Sequence, residues 1–154
     1  MREEDSNAKL ELPERLSVDS GILIAYLLGE KLGRVVKEEV LDPRLHSAFI
    51  SGVSVAEASY ILCRRRGQKF ARDALQTFLR ARYATLVSSE ELDQQAGSYK
   101  CERAISLADC YVLAAANLQN TVALFAKREK DLEKEIVRRP LDVEIMFLED
   151  FLIG

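Results

Sequence analysis

The sequence is poor in everything that would build a site from soft ligands or oxidised thiols. Its three cysteines, Cys63, Cys101 and Cys110, are odd in number, far apart and without a Cys-x-x-Cys pair. That argues against a disulfide framework or a zinc knuckle and fits thiols in a reducing cytosol. The one histidine, His46, has no partner at a recognisable spacing, and there is no glycine-rich phosphate loop or nucleophile elbow. No apolar run approaches the ~20 residues of a membrane span. The polar start Met1-Arg2-Glu3-Glu4-Asp5 predicts no signal peptide, so the expected setting is the cytoplasm, away from membranes. Neither sign of charge dominates, with 22 Lys and Arg against 25 Asp and Glu. A net charge of -3 supplies no basic field that could hold nucleic acid by counterion release alone, so such a partner would have to meet a local patch or a bound cation.

What is present is an ordinary globular composition, 48% hydrophobic and 31% charged over 154 residues, enough for one domain with a full core. Residues 1 to about 14 are charged and aperiodic and are expected to be a polar lead-in to a single domain over 15–154. Arg15 to Val18 is the first expected strand, followed by a helix through Ile22, Leu23, Ala25, Tyr26 and Leu27, with Gly29 or Gly33 as punctuation. A second charged helix through Val36 and Val40 stops at Asp42-Pro43. Short strands are expected at Ala48–Ser51 and Thr85–Val87, and an almost continuously apolar one at Thr121–Ala126 that has the pattern of a buried parallel strand. Helices are expected to open at Ser54 and Ser106, with others around Phe70–Leu79 and Glu90–Arg103; the run Ile145–Leu148 reads as an edge strand or a short helix. Strands alternating with helices predict an α/β fold with a mainly parallel sheet covered on both faces.

Four acidic positions fall where a strand hands over to a helix or where a helix begins: Asp19, Glu57, Asp109, and Glu129 with Asp131 behind it. Carboxylates are the ligands that Mg²⁺ and Mn²⁺ prefer, and converging carboxylates repel one another unless a cation sits between them. Each also has a structural reading. Ser54-x-x-Glu57 and Ser106-x-x-Asp109 match the capping box, Asp19 could cap the helix that follows it, and Glu129 could answer a helix dipole. Spacing alone does not say whether the four meet.

The blocks Val18-Asp19-Ser20-Gly21-Ile22-Leu23-Ile24, Ser54-Val55-Ala56-Glu57, Leu107-Ala108-Asp109-Cys110 and Ala123-Leu124-Phe125-Ala126-Lys127-Arg128-Glu129-Lys130-Asp131-Leu132 resemble, in order, the signatures of PIN-domain ribonucleases. In size the chain is similar to the small toxin subunits of VapBC toxin–antitoxin pairs. The resemblance implies a three-layer α/β/α sandwich and an Mg²⁺- or Mn²⁺-dependent endoribonuclease whose metal-activated water leaves a 5′-phosphate. It also implies a homodimer and an antitoxin partner. Asp19 and Asp109 would be the principal metal ligands, Glu57 would bind metal or orient its water, and Glu129 would be the fourth acid, with Asp131 as its substitute. The chain departs from the family where Glu129 stands for the usual aspartate and Lys127 for the usual small polar residue.

Ser20 could hydrogen-bond Asp19 or support the metal shell, or simply cap the helix. Arg64, Arg65, Lys127 and Arg128 belong to basic clusters that could guide an RNA backbone or form a solvated face. Two other classes remain beside the nuclease: a PIN-like scaffold without catalysis that binds RNA or protein partners, and a phosphate-accepting receiver-like domain. The second fits Glu57 at a helix start poorly.

Overall fold

Five parallel strands set the frame, and each is short enough that its carboxyl end, not its length, decides what the fold can hold. The computed structural model of the chain describes residues 12–42 and 47–152. Most of the expected lead-in, and His46, lie outside those residues. The strands are β1 (Arg15–Val18), β2 (Ser47–Ser51), β3 (Thr85–Val87), β4 (Val122–Phe125) and β5 (Ile145–Phe147), in the order β3-β2-β1-β4-β5. Every pairing is parallel. The chain runs outward from β1 through β2 to β3, then returns to the other side of β1 and runs outward through β4 to β5. β1 and β4 are therefore neighbours whose connections leave in opposite directions, and the crevice at their carboxyl ends is the place where open α/β sheets bind ligands.

Helices cover both faces, so the architecture is the three-layer α/β/α sandwich. On one face lie α1 (Ser20–Leu28), α2 (Lys31–Val35), α3 (Gly52–Arg66) and α4 (Gln68–Arg80). They close over Leu16, Val18, Ile50 and Leu124 in one buried cluster. On the other, α5 (Glu90–Glu102), α6 (Leu107–Gln119) and α7 (Lys130–Arg138) close over Ala123, Phe125 and Phe147. Along β4 the side chains alternate between the two cores, as the pleat requires. The alanine run of α6 (Ala114, Ala115, Ala116) is fully buried. Its small side chains let the helix lie close to the sheet, where the Ser17 hydroxyl donates to the Val112 carbonyl at 2.9 Å.

Local signals fixed most ends. Gly29 stops α1 in the left-handed region (φ 66°), and Asn120 stops α6 likewise (φ 52°). Gly33 has a different task from punctuation: it lies within α2, where a Cβ would stand 2.4 Å from the Ala25 carbonyl oxygen, so only glycine admits this approach of α2 to α1. The expected second helix is in fact α2 followed by a one-turn π segment, Val36–Val40, closed by the Leu41 amide donating to the Val36 carbonyl at 2.8 Å. The run at 145–148 resolves into edge strand β5 followed by a 3₁₀ turn, Leu148–Leu152. No described helix is long and apolar enough to cross a membrane.

Candidate active site

The carboxyl end of β1 delivers Asp19 to the crevice beside β4. Its backbone is extended and its side chain caps α1, Oδ1 accepting the Ile22 amide at 3.2 Å. The same oxygen accepts the Ala126 amide at 3.2 Å from the end of β4, so one carboxylate joins the two strand ends. This close approach depends on Gly21, where a Cβ would stand 2.9 Å from the Ala126 Cβ and 3.3 Å from Asp19 Oδ2. The capping reading of Asp19 is thus correct, and it leaves the second oxygen unengaged by either amide.

At the carboxyl end of β2 the helix starts earlier than the sequence suggested. Ser51, not Ser54, is the N-cap of α3, accepting the Ser54 amide at 3.1 Å. Glu57 therefore stands a full turn inside the helix with no cap to make. Its Oε1 accepts a hydrogen bond from the Ser20 hydroxyl, which couples α3 to the first residue of α1.

Ser106 caps α6 as expected, accepting the Asp109 amide at 3.1 Å and leaving the Asp109 carboxyl directed elsewhere. That carboxyl is hydrogen-bonded to Glu129. Glu129 occupies the N-cap position of α7 yet makes no side-chain cap bond. Two carboxyls can share a hydrogen bond only if one carries a proton.

Electrostatics tie the set together. Asp19 is 9% exposed and Asp109 7%. Burial pushes the Asp19 carboxyl up to about 7, against the pull of its two backbone amides, and the charges of Glu129 and Glu57 push it the same way. Burial also lifts Asp109 well above the ordinary carboxylate range, followed by its hydrogen bond with Glu129, the Glu129 charge and the Asp19 charge. The charges of Glu129 and Glu57 thus reach Asp19, and those of Glu129 and Asp19 reach Asp109, which brings acids from the ends of β1 and β4, from α3 and from the start of α6 to one place. Asp131 is not among the groups acting on Asp19 or Asp109; it lies one residue inside α7, exposed.

A pocket of about 430 Å³ is lined by Asp19, Ser20, Glu57, Lys127 and Glu129, with Glu30 and Arg65 also on its wall; Asp109 is not on the wall and meets the set through Glu129. Among the described residues, no three His, Cys, Asp or Glu side chains stand arranged to hold a metal ion as they lie. The donor set nevertheless suits a hard divalent cation. It is all oxygen and partly desolvated, and its two buried carboxyls, Asp19 and Asp109, lie in the field of neighbouring acids that a cation would screen.

The basic candidates divide. Arg65 and Lys127 line the pocket. Arg64 stacks over Tyr60 with its guanidinium carbon 4.9 Å from the ring centre. Arg128 faces away into a network of its own, donating to Asp150 at 3.0 and 2.6 Å and to Glu133 at 2.7 Å while lying over Phe147. Its charge anchors the C-terminal 3₁₀ turn. Glu30 was not among the residues expected at the site, although its place directly after the α1 stop at Gly29 marks it as an N-cap.

The PIN domain family matches residues 16–135. No curated protein sequence matches the chain. Among solved structures, the VapC20 toxin of Mycobacterium tuberculosis, described as cleaving the sarcin-ricin loop, aligns with a TM-score of 0.60 at 18% identity. That alignment covers 77% of this chain and 93% of the toxin chain. The VapBC2 complex of Rickettsia felis, bound to a DNA fragment from its promoter, aligns with a TM-score of 0.64 at 15% identity, covering 86% and 98%. VapBC-1 of nontypeable Haemophilus influenzae aligns with a TM-score of 0.57 at 15% identity, covering 88% and 98%. At these identities the structures speak for the fold alone, while the family match spans most of the sequence: the chain belongs to the PIN domain family.

Proposed function

We propose that this protein is a metal-dependent endoribonuclease, the toxin of a toxin–antitoxin pair. The observation that carries the reading is the burial of Asp19 and Asp109 within electrostatic reach of each other and of the exposed Glu129 at the crevice between β1 and β4, with Glu57 on the pocket wall beside Asp19. Clustered buried carboxyls are costly to a fold and are kept where their charge is needed. Asp19, Asp109 and Glu129 would hold Mg²⁺ or Mn²⁺, with Glu57 binding the ion or orienting its water. Bound there, the ion would neutralise charge on a phosphodiester and bring a water toward hydroxide near neutral pH.

The chain's own residues do the rest. The Ile22 and Ala126 amides fix one oxygen of Asp19 and so aim the other. Ser20 fixes the rotamer of Glu57. Lys127 and Arg65 give the pocket wall two cations able to draw a polyanion toward an acidic centre. The structural likeness to VapC and VapBC proteins supports a protein antitoxin as partner.

A non-catalytic scaffold that binds RNA or protein is the second reading, favoured by Lys127 in the pocket and by carboxyls that do not yet surround an ion site. Cleavage of labelled single-stranded RNA separates the two. The nuclease reading expects cleavage in Mn²⁺, none in EDTA, and none from Asp19→Asn or Asp109→Asn. RNA left intact by a protein that binds Mn²⁺ would favour the scaffold, and cleavage surviving in both variants would remove this site from consideration.

A further inference from the structure

Glu57, Ile61 and Arg65 follow one another at four-residue intervals along α3, and all three line the pocket. The acid centre and a guanidinium thus share one face of one helix. At the α-helical rise per residue, Glu57 and Arg65 are about 12 Å apart along the axis. Ile61 lies between them and offers apolar surface.

Arg65 is held across the pocket wall by Glu30, Nη1 donating to Oε1 at 2.8 Å. Glu30 stands at the N-cap of α2, where a side-chain oxygen commonly accepts a helix amide, and it makes no such bond. Its carboxylate serves Arg65 instead. The pair is open to water, the two side chains 55% and 35% exposed, and ion pairs so exposed are weak enough for a competing anion to replace one partner. The neighbouring arginines are engaged differently, Arg64 over Tyr60 and Arg66 over Phe70, and neither is among the residues lining this pocket.

We infer that Arg65 binds a backbone phosphate of single-stranded RNA about three nucleotides from the scissile bond, at the spacing of a stacked strand. Glu30 is its internal competitor, a carboxylate that occupies the phosphate's place until the strand arrives. Ile61 then meets the sugar or base between the two points. The proposal rests on the nuclease reading for its scissile bond, but its geometry requires only that a strand enter the pocket.

The test measures binding of labelled single-stranded RNAs of about two and about ten nucleotides by fluorescence anisotropy, in Mn²⁺ and in EDTA, with the whole chain and three variants. Arg65→Gln should weaken binding increasingly with RNA length, and on the longer RNA the slope of affinity against salt should fall by about one. Glu30→Gln should tighten binding of the longer RNA roughly two- to five-fold, because it releases a surface ion pair. The Glu30→Gln/Arg65→Gln double variant should match Arg65→Gln alone, since Glu30 acts only through Arg65. Unchanged melting temperatures would show that the variants fold. Equal losses on both RNA lengths, an unaltered salt slope, or no gain from Glu30→Gln would overturn the proposal. Hydrolysis of a small phosphodiester in Mn²⁺ reads the acids without Arg65. Its absence in the wild type would count against the nuclease while the binding series still decides Arg65.

Discussion

Replacing Asp19 by asparagine should make the metal-free protein more stable at neutral pH while abolishing its response to metal. The folded carboxyl titrates at about 7, against an ordinary value of 3.8, with burial as the main cause. Because the folded state holds the proton more tightly, this group favours folding below about pH 4. That contribution is lost as pH rises through about 7, and the loss is complete above it. At about 1.4 kcal/mol per pKa unit, the ionised form costs at most about 4 kcal/mol. The asparagine side chain keeps an oxygen for the Ile22 and Ala126 amides but also buries an amide nitrogen, so the expected net gain at pH 8 in EDTA is about 1–3 kcal/mol. In a domain of this size that is a rise in Tm of several degrees. The gap should shrink steadily on lowering pH toward 4. Mn²⁺ at a hundred times its Kd should stabilise the wild type by about 2.7 kcal/mol and the variant by far less. Urea or thermal unfolding at pH 4, 6 and 8, with EDTA or Mn²⁺, provides the measurement. A variant less stable than the wild type at pH 8 in EDTA, or a gap that widens as pH falls, would refute the idea that Asp19 is held at a cost.

Other expectations follow from the same contacts. Mn²⁺ affinity should rise between pH 6 and pH 8, because protons on Asp19 and Asp109 compete with the ion; isothermal titration at the two values reads this, and an affinity independent of pH would contradict it. Ser20→Ala removes the partner of Glu57 and should lower Mn²⁺ affinity or RNA cleavage by roughly ten- to a hundred-fold with little change in fold. Gly21→Ala would press a methyl against Ala126 and the Asp19 carboxylate and should cost about 1–3 kcal/mol on denaturant unfolding. Gly52→Ala, where a Cβ would meet nothing within 4 Å, is the matched control and should be well tolerated.

Much of this arrangement could be read in the amino-acid order, and the parts that could not have definite causes. The apolar run ending at Phe125 and the strand before Asp19 were legible because buried parallel strands need unbroken apolar residues. Of the two glycines that could punctuate the first helix, Gly29 is the one that ends it, because few residues other than glycine enter the left-handed region. The start of α3 was misplaced because Ser51 and Ser54 stand three residues apart and either could cap; the strand ending at Ser51 decides in favour of the first. A helix start was expected near Glu129, but not the extent of the helix over Lys130–Arg138, whose charged positions hide the few side chains, such as Leu132, that it buries. In the sequence Arg128 resembled an RNA contact, whereas Asp150 and Glu133 claim it across the fold. The acids were visible singly, but their meeting depends on strand order, and no short-range pattern encodes that β4 lies beside β1.

The central claim, that these carboxyls are assembled to hold one divalent site, is tested most directly by titrating the metal-free protein with Mn²⁺ and following the free ion by electron paramagnetic resonance. The account predicts saturable binding by the wild type, severe loss in Asp19→Asn and in Asp109→Asn, and no loss in Asp131→Asn. Equal binding by all four proteins, or none by the wild type, would contradict it.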